Sequence, residues 1–301
     1  MPLADVARLL ALAAIWSASF VFIRVLVPSL GPVWTAALRL LIAGAVLALW
    51  LAATRRNASL GRHWRAYLFV GLVNSALPFV LYGYAARALP ASYMAILNSA
   101  TPLFGAMLAA AFLDERLTAA RVGGIACGVA GVVLVSRAGG LVVDGGVLLA
   151  IAASLAATFC YASAGVWLRR FGATLSPYAI AAWSQLFAGL ALVAPGIAVP
   201  PPGPLSAPVV ANLLALALLC SGVAYLLYYR LMQRIGPTKT LTVTFLMPAF
   251  GMAWGALFLG ETISAAMLAG AALIVAGTAL VALVGAFPRG RRAKARLEES
   301  V

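Results

Sequence analysis

Residues 102–135 read PLFGAMLAAAFLDERLTAARVGGIACGVAGVVLV, and residues 248–281 read PAFGMAWGALFLGETISAAMLAGAALIVAGTALV. Placed over one another at an offset of 146, the two stretches carry the same residue at 16 of 34 positions, without a gap. The matches include Pro102 with Pro248 and Glu115 with Glu261. Similarity of this length at a fixed spacing indicates an internal duplication. The chain is therefore predicted to consist of two related halves.

The composition of the 301 residues predicts that both halves lie in a lipid bilayer. Hydrophobic residues make up 64% of the sequence, charged residues make up 9%, and the mean hydropathy is +1.05. Soluble domains carry about 25% charged residues, so this chain lacks the polar surface of a water-exposed particle. The composition also excludes a disordered, a collagen-like and a nucleic-acid-binding protein. The net charge of +14 is typical of Lys and Arg in cytoplasmic loops.

Ten apolar runs are long enough to cross the membrane, which requires ~20 residues of helix. Barrel strands are excluded, because their residues alternate in polarity over about ten positions. The sequence thus predicts an all-α polytopic membrane protein with ten transmembrane helices, which embeds directly in the lipid bilayer. The helices cover roughly residues 6–27, 33–53, 66–86, 91–113, 118–136, 146–168, 177–198, 209–230, 237–260 and 263–286.

The distribution of Lys and Arg predicts the orientation of the chain. With the N-terminus inside, 17 of the 21 basic residues fall on the cytoplasmic side, so both termini are predicted to be cytoplasmic. Five helices per half is an odd number, so the two repeats are inverted, a construction common in secondary transporters. The predicted units are a first repeat at residues 1–138, an inverted second repeat at residues 139–286 and a basic cytoplasmic tail at residues 287–301.

Several motifs resemble those of one transporter family. Trp16-Ser-Ala-Ser-Phe20 followed by Arg24 resembles the family's first-helix motif, with Ser17 in place of the usual glycine. Further similar motifs are Arg39 to Gly44, Tyr84 to Leu89, Thr101 to Phe104, Asp114 to Thr118, Gly124 to Gly131, and their second copy from Pro248 to Glu261. Over residues 5–286 the chain resembles the EamA-type, ten-helix branch of the drug/metabolite transporter superfamily. The resemblance implies an inner-membrane exporter of amino acids or metabolites that works by alternating access.

Prolines within helices predict where a substrate could bind. Pro78, Pro102 and Pro248 free the carbonyl groups of Asn74, Asn98 and Thr244, each of which also carries a polar side chain. In hydrocarbon such groups need a polar neighbour or a cavity. We therefore expect an aromatic, neutral cavity between the repeats. Its candidate residues are Trp16, Ser17, Phe20, Asn74, Pro78, Tyr82, Asn98, Thr101, Thr158, Tyr161, Ser221, Tyr225, Tyr228 and Thr244.

Other interpretations of these residues remain open. Ser, Thr and Asn also form hydrogen bonds between membrane helices without any ligand. Arg24 and Arg39 could be anchors that reach the headgroups, or could bind a carboxylate or form a gate. Glu115 and Glu261 could be solvated helix-end residues or gating groups. Pro102 and Pro248 are predicted to be equivalent hinges.

The predicted function is export of a small-molecule substrate, an amino acid or a similar metabolite, by a monomer or weak homodimer. No motif of a membrane-embedded enzyme is present, and one histidine and three cysteines in apolar runs predict neither a metal nor a cofactor. Every Asp and Glu lies at a helix end or in the tail, so we expect no obligatory ion coupling. A proton- or sodium-coupled drug/metabolite exporter and a channel-like facilitator are the alternatives.

Overall fold

The computed structural model describes residues 1–55, 60–138, 142 and 144–285, and nearly all of them are helical. No strand occurs within these ranges. The predicted basic tail at residues 287–301 lies outside the described residues, as does residue 139, where the second repeat was predicted to begin. The α-helices are α1 Leu3–Ala53, α2 Leu60–Gly71, α3 Leu77–Ala85, α4 Ala91–Asn98, α5 Thr101–Phe112, α6 Ala119–Ala138, α7 Gly145–Phe171, α8 Pro177–Ala179, α9 Gln185–Ala198, α10 Ala207–Ala217, α11 Ala224–Ile235, α12 Pro237–Thr240, α13 Val243–Leu259 and α14 Ala265–Gly285.

Helix α1 folds back on itself at Gly31. A straight helix of 51 residues would be about 77 Å long, more than twice the thickness of a bilayer's hydrocarbon core. Gly31 interrupts it with a φ of 71° and a ψ of 167°, a conformation that glycine adopts most readily. Pro28 and Pro32 flank this turn. The two arms of α1, before and after Gly31, therefore correspond to the first two predicted segments.

The described helices agree in position with the predicted transmembrane segments. Within the part of the chain that the structure describes, eight continuous helical stretches have the length and hydropathy needed to span a membrane, and α13 is a shorter apolar helix. The chain is thus a polytopic, all-α membrane protein. With α1 counted as two arms, each predicted segment has a helical counterpart; that all ten of them cross the bilayer stays a prediction.

Helices α6 and α14, the last helix of each repeat, pack against one another in opposite directions. A Cβ atom on Gly124 would lie 2.7 Å from the carbonyl oxygen of Gly277, and one on Gly131 would lie 2.7 Å from that of Gly270. At the offset of 146, Gly124 corresponds to Gly270 and Gly131 to Gly277, so the two contacts are equivalent to one another. Only glycine permits this approach. The two helices are thus equivalent in the two repeats, run antiparallel and meet through equivalent contacts. This is the arrangement expected of an inverted repeat.

Two π-helical turns occur at corresponding places in the two repeats. One covers Leu72–Ala76, between α2 and α3, and the other covers Leu218–Val223, between α10 and α11. The offset of 146 superposes their first residues. A third π-helical turn, Ile180–Ser184, lies between α8 and α9. Such turns are rare and occur often at functional sites, and all three lie beside the cavity described below.

The fourth and ninth predicted segments are both interrupted, but at different places. In the fourth, α4 ends at Asn98 and α5 begins at Thr101, directly before Pro102. In the ninth, the interruption lies at residues 241–242, between α12 and α13, and Pro248 lies inside α13. The two repeats therefore differ in local backbone although their prolines correspond.

Candidate functional site

A cavity of about 280 Å³ lies between the two repeats. This volume is close to the lower end of small-molecule sites, which are typically ~300–1,000 Å³. Both arms of α1, α3, α4, α5 and the π-helical turn at Leu72–Ala76 contribute from the first repeat, and α7, α11 and α13 contribute from the second. A site formed jointly by inverted repeats is where secondary transporters bind their substrates.

Ten of the fourteen predicted cavity residues lie in its wall. These ten are Trp16, Phe20, Asn74, Tyr82, Asn98, Thr101, Tyr161, Tyr225, Tyr228 and Thr244. The remaining four are Ser17, Pro78, Thr158 and Ser221, which do not line it. Ser17 instead donates to the carbonyl oxygen of Met247 at 3.0 Å, and Thr158 donates to that of Leu155 at 2.6 Å. Ser17 therefore shows the alternative of a hydrogen bond between helices, whereas Thr158 bonds within its own helix, α7. Contact of the ten wall residues with substrate stays a prediction.

A buried hydrogen bond connects α3 with α4 at the cavity wall. The Tyr82 hydroxyl donates to Asn98 Oδ1 at 2.9 Å, and Asn98 Nδ2 lies 3.6 Å from the sulfur of Met247. The Tyr82 ring also contacts Phe20 edge-on, with ring centroids 5.1 Å apart. Asn98 lies at the end of α4, where the helix is interrupted before Pro102. The amide of Asn98 thus lies directly beside the point where the fourth segment is interrupted.

An aromatic cluster forms another part of the wall. The Trp16 ring lies 5.3 Å from that of Tyr228 and 6.2 Å from that of Tyr225, measured between centroids. Tyr225 and Tyr228 are three residues apart on α11, so they share one face of the helix. Tyr229, which sequence reasoning missed, contacts Tyr228 at 5.3 Å and also lines the cavity. The cluster offers both ring faces and hydroxyl groups to a bound molecule.

Arg39 is buried in the cavity wall. It is only 4% exposed, its Nε donates to Ser221 Oγ at 2.7 Å, and its guanidinium carbon lies 3.8 Å from the centroid of the Phe79 ring. Ser221 belongs to the π-helical turn Leu218–Val223, so this bond joins the two repeats. The expected neutral cavity is therefore wrong in one respect, because its wall contains a buried cation. Segment hydropathy could not reveal this, since it does not show which face of a helix points inward.

Arg24 is placed differently from Arg39. Its guanidinium donates to the carbonyl oxygen of Ala86, which tethers the first arm of α1 to the residues that follow α3. It does not line the cavity. The anchor and gate alternatives for Arg24 both stay predictions.

Glu115 and Glu261, which correspond in the two repeats, have different partners. Glu115 forms ion pairs with Arg169 at 2.7 Å and Arg121 at 2.9 Å. Partial burial alone would raise the pKa of Glu115, but hydrogen bonds and charge from the two arginines outweigh it, so the pKa is lowered. Glu261 accepts from the backbone N–H groups of Ala91 at 2.6 Å and Ser92 at 2.9 Å. Neither glutamate lines the cavity.

The other wall residues that sequence reasoning missed are mostly apolar. They are Ser19, Ile23, Phe79, Gly165, Leu168, Ile180, Leu241, Val243 and Met247. Apolar residues occupy every face of a membrane helix, so nothing in their pattern marks the few that face a cavity. Ser19 could have been identified from the sequence, because it lies three residues after Trp16 and therefore on the same face of the helix.

Within residues 1–55, 60–138, 142 and 144–285, no three His, Cys, Asp or Glu side chains are close enough to hold a metal ion.

Comparison with known proteins identifies the family. The model of the EamA-like transporter family matches residues 6–137 and 146–283, most of both halves. Protein PecM of Dickeya dadantii is 27% identical over 95% of this chain and 94% of its own. A probable terminal-alkyne amino-acid exporter of Streptantibioticus cattleyicolor is 26% identical over 88% of this chain and 89% of its own. A protein of known crystal structure shares the fold, with a TM-score of 0.67 and 23% identity over 93% of this chain and 97% of that one. This chain is a multi-pass membrane protein that belongs to the EamA-like transporter family.

Proposed function

We propose that this transporter exports amino acids or similar small metabolites across the plasma membrane by alternating access, without obligatory ion coupling. The observation that carries the proposal is the cavity of about 280 Å³ between the two repeats. Its aromatic and amide groups suit a small organic molecule. The similarity to a probable terminal-alkyne amino-acid exporter adds support for this substrate class.

The position of the cavity along the helices supports alternating access. Its wall includes Leu168, Ile180 and Leu241, which lie near helix ends predicted to be cytoplasmic. At the opposite ends, Glu261 is bound to the N-terminus of α4 and Arg24 to the carbonyl of Ala86. These contacts would close the outer side in an inward-facing conformation. In an inverted repeat the two sides can exchange such arrangements.

The absence of acidic groups from the wall supports uncoupled transport. Proton-driven carriers use Asp, Glu or His inside the membrane as relays. The described wall residues include none of these three types. Without a coupling ion, a metabolite made in the cell would leave down its own gradient.

Counterflow in liposomes tests the proposed function. Purified protein is reconstituted, the vesicles are loaded with unlabelled amino acids and metabolites, and entry of the labelled compound is measured. We expect transient accumulation, which a channel does not produce. Tyr228→Ala should lower this flux at least tenfold, whereas Phe258→Ala, a lipid-exposed aromatic on α13, should not change it. Steady accumulation above the external concentration under an imposed proton or sodium gradient would contradict uncoupled transport, if it is abolished when that gradient is collapsed.

A further inference from the structure

The guanidinium of Arg39 is a buried charge without a carboxylate partner among the described residues. Of its five N–H donors, only the one on Nε donates to a described residue, Ser221. The titratable groups that act on it are Cys220, Tyr161 and Tyr225, all ordinarily neutral at pH 7. A buried cation is unfavourable unless an anion or a set of acceptors compensates it. The four N–H donors on its two terminal nitrogens thus have no acceptor among the described residues, and Arg39 lines the cavity.

We propose that Arg39 binds the carboxylate of the substrate and that the transported species carries a net negative charge. The inference rests on the proposed function, because it assigns a ligand to the same cavity, and it narrows the proposed substrates from amino acids or similar metabolites to carboxylate metabolites with a net negative charge. A guanidinium matches a carboxylate with two parallel hydrogen bonds. No acidic side chain in the described wall would pair with a substrate ammonium group, so the site favours an organic anion over a zwitterion.

The surroundings of Arg39 suit a carboxylate on an aromatic or apolar body. Phe79 covers one face of the guanidinium at 3.8 Å, and Ser221 holds Nε at 2.7 Å, so the fork is fixed in orientation. Trp16, Tyr225 and Tyr228 line the same cavity and offer ring surface to the rest of the molecule. The substrate class is thus a small monocarboxylate with a ring or a branched chain.

A net negative substrate also supplies the driving force for export. Each turnover would move one negative charge outward, and the inside-negative membrane potential favours that direction. For a monovalent ion, about 59 mV corresponds to a tenfold concentration ratio at equilibrium. Export would then need no coupling ion, in agreement with a wall that has no acidic residue within the described part of the chain.

Matched ligands test the charge preference on the unmodified protein. Three series with phenyl, indolyl and isobutyl bodies each contain a carboxylate, the corresponding amino acid and the corresponding amide, for example 3-phenylpropanoate, phenylalanine and 3-phenylpropanamide. Binding to purified protein is measured by calorimetry. In at least one series we expect the carboxylate to bind at least tenfold more tightly than the amide and more tightly than the amino acid. Equal affinity for carboxylate and amide in every series that binds would overturn the proposal.

Variants separate a binding role of Arg39 from a structural one. Arg39→Gln should remove the preference for carboxylate over amide, and Arg39→Lys should keep part of it. Arg137→Gln is the matched control, since Arg137 is exposed in the last turn of α6 and does not line the cavity, and it should keep the full preference. A folded Arg39→Gln protein that retains the preference would overturn the proposal. If that variant does not fold, the ligand series and the flux measurement described next still test the proposal, because both use the unmodified protein.

The membrane potential provides an independent readout. Liposomes loaded with the labelled carboxylate are given an inside-negative potential with potassium and valinomycin, and efflux is compared with that at zero potential. We expect faster efflux of the carboxylate, and an unchanged rate for the amide. Flux of amino acid or amide without a carboxylate preference would overturn this inference but leave the proposed function intact. Failure of every series to bind or move would overturn both.

Discussion

Tyr82 and Asn98 each place a buried polar group at the cavity wall, and the two groups bond to one another. Their hydrogen bond of 2.9 Å is buried, as are both residues. A buried acceptor that loses its donor costs ~1–3 kcal/mol. At the scale of single residues, the cavity wall is therefore sensitive to the removal of one hydroxyl group.

Tyr82→Phe should weaken substrate binding while the protein stays folded. Loss of the donor leaves Asn98 Oδ1 unpaired and free to rotate, so we expect the half-saturation concentration to rise about fivefold, or ~1 kcal/mol. Counterflow rates over a range of substrate concentrations provide the measurement. Tyr84→Phe is the matched control, because Tyr84 is 44% exposed on the same helix. An equal effect of both variants would show that the hydrogen bond has no role in the site.

The ion pairs of Glu115 should contribute stability that depends on pH. Its pKa in the folded protein is lowered, so the contribution is present above the ordinary value of 4.5 and is lost as pH falls through the lowered pKa. Exposed ion pairs contribute at most about 1 kcal/mol, which corresponds to roughly 3 °C in melting temperature for a chain of this size. Glu115→Gln should melt lower than the parent at pH 7, and the gap should close near pH 3. A gap of constant size would rule out this linkage.

Helices α6 and α14 and the interrupted segments show what each element contributes. The glycine faces of α6 and α14 bring the last helices of the two repeats together. Their equivalent contacts are related by one axis of symmetry between the helices. Cys127 contacts the carbonyl oxygen of Leu273, its own counterpart at the offset of 146, near that axis. By contrast, the fourth and ninth segments are interrupted at non-equivalent positions. One pair of elements holds the repeats together, and the other pair differs between them.

Pro102 and Pro248 are predicted to act as hinges in this second pair. Replacing either proline by alanine restores an N–H donor and stiffens the backbone, so turnover should fall, by about fivefold or more, with little change in half-saturation. Pro195→Ala is the control, because Pro195 lies inside α9, is exposed and does not line the cavity. Turnover unchanged in both Pro102→Ala and Pro248→Ala would reject the hinge.

For the whole molecule, contacts between helix ends join residues predicted to lie on the same side of the membrane. Arg234 bonds with Asp5 at 2.9 Å, and Arg169 with Glu115 at 2.7 Å, all at ends predicted to be cytoplasmic. Glu261 and the N-terminus of α4 meet at ends predicted to be outside. These contacts are consistent with the predicted orientation, which itself stays a prediction.

Labelling of single cysteines tests the orientation. After Cys127, Cys160 and Cys220 are replaced, Val142→Cys should react with a membrane-impermeant maleimide in intact cells, because residue 142 is predicted outside and is 87% exposed. Thr174→Cys should react only in inverted vesicles, because it follows α7 on the predicted cytoplasmic side. The reverse pattern would show that the orientation is wrong.

The amino-acid sequence by itself determined the membrane environment, the duplication, the family and the approximate positions of the helices. These properties depend on composition and on similarity between segments, and both can be read along the chain. The tertiary structure decided which polar residues meet. In it, Ser17 and Thr158 donate hydrogen bonds to backbone carbonyl oxygens, and Arg39 is buried in the cavity wall. The physical reason is that a membrane helix is apolar on all sides, so only its packing against neighbouring helices determines which side chains face the cavity and which face lipid.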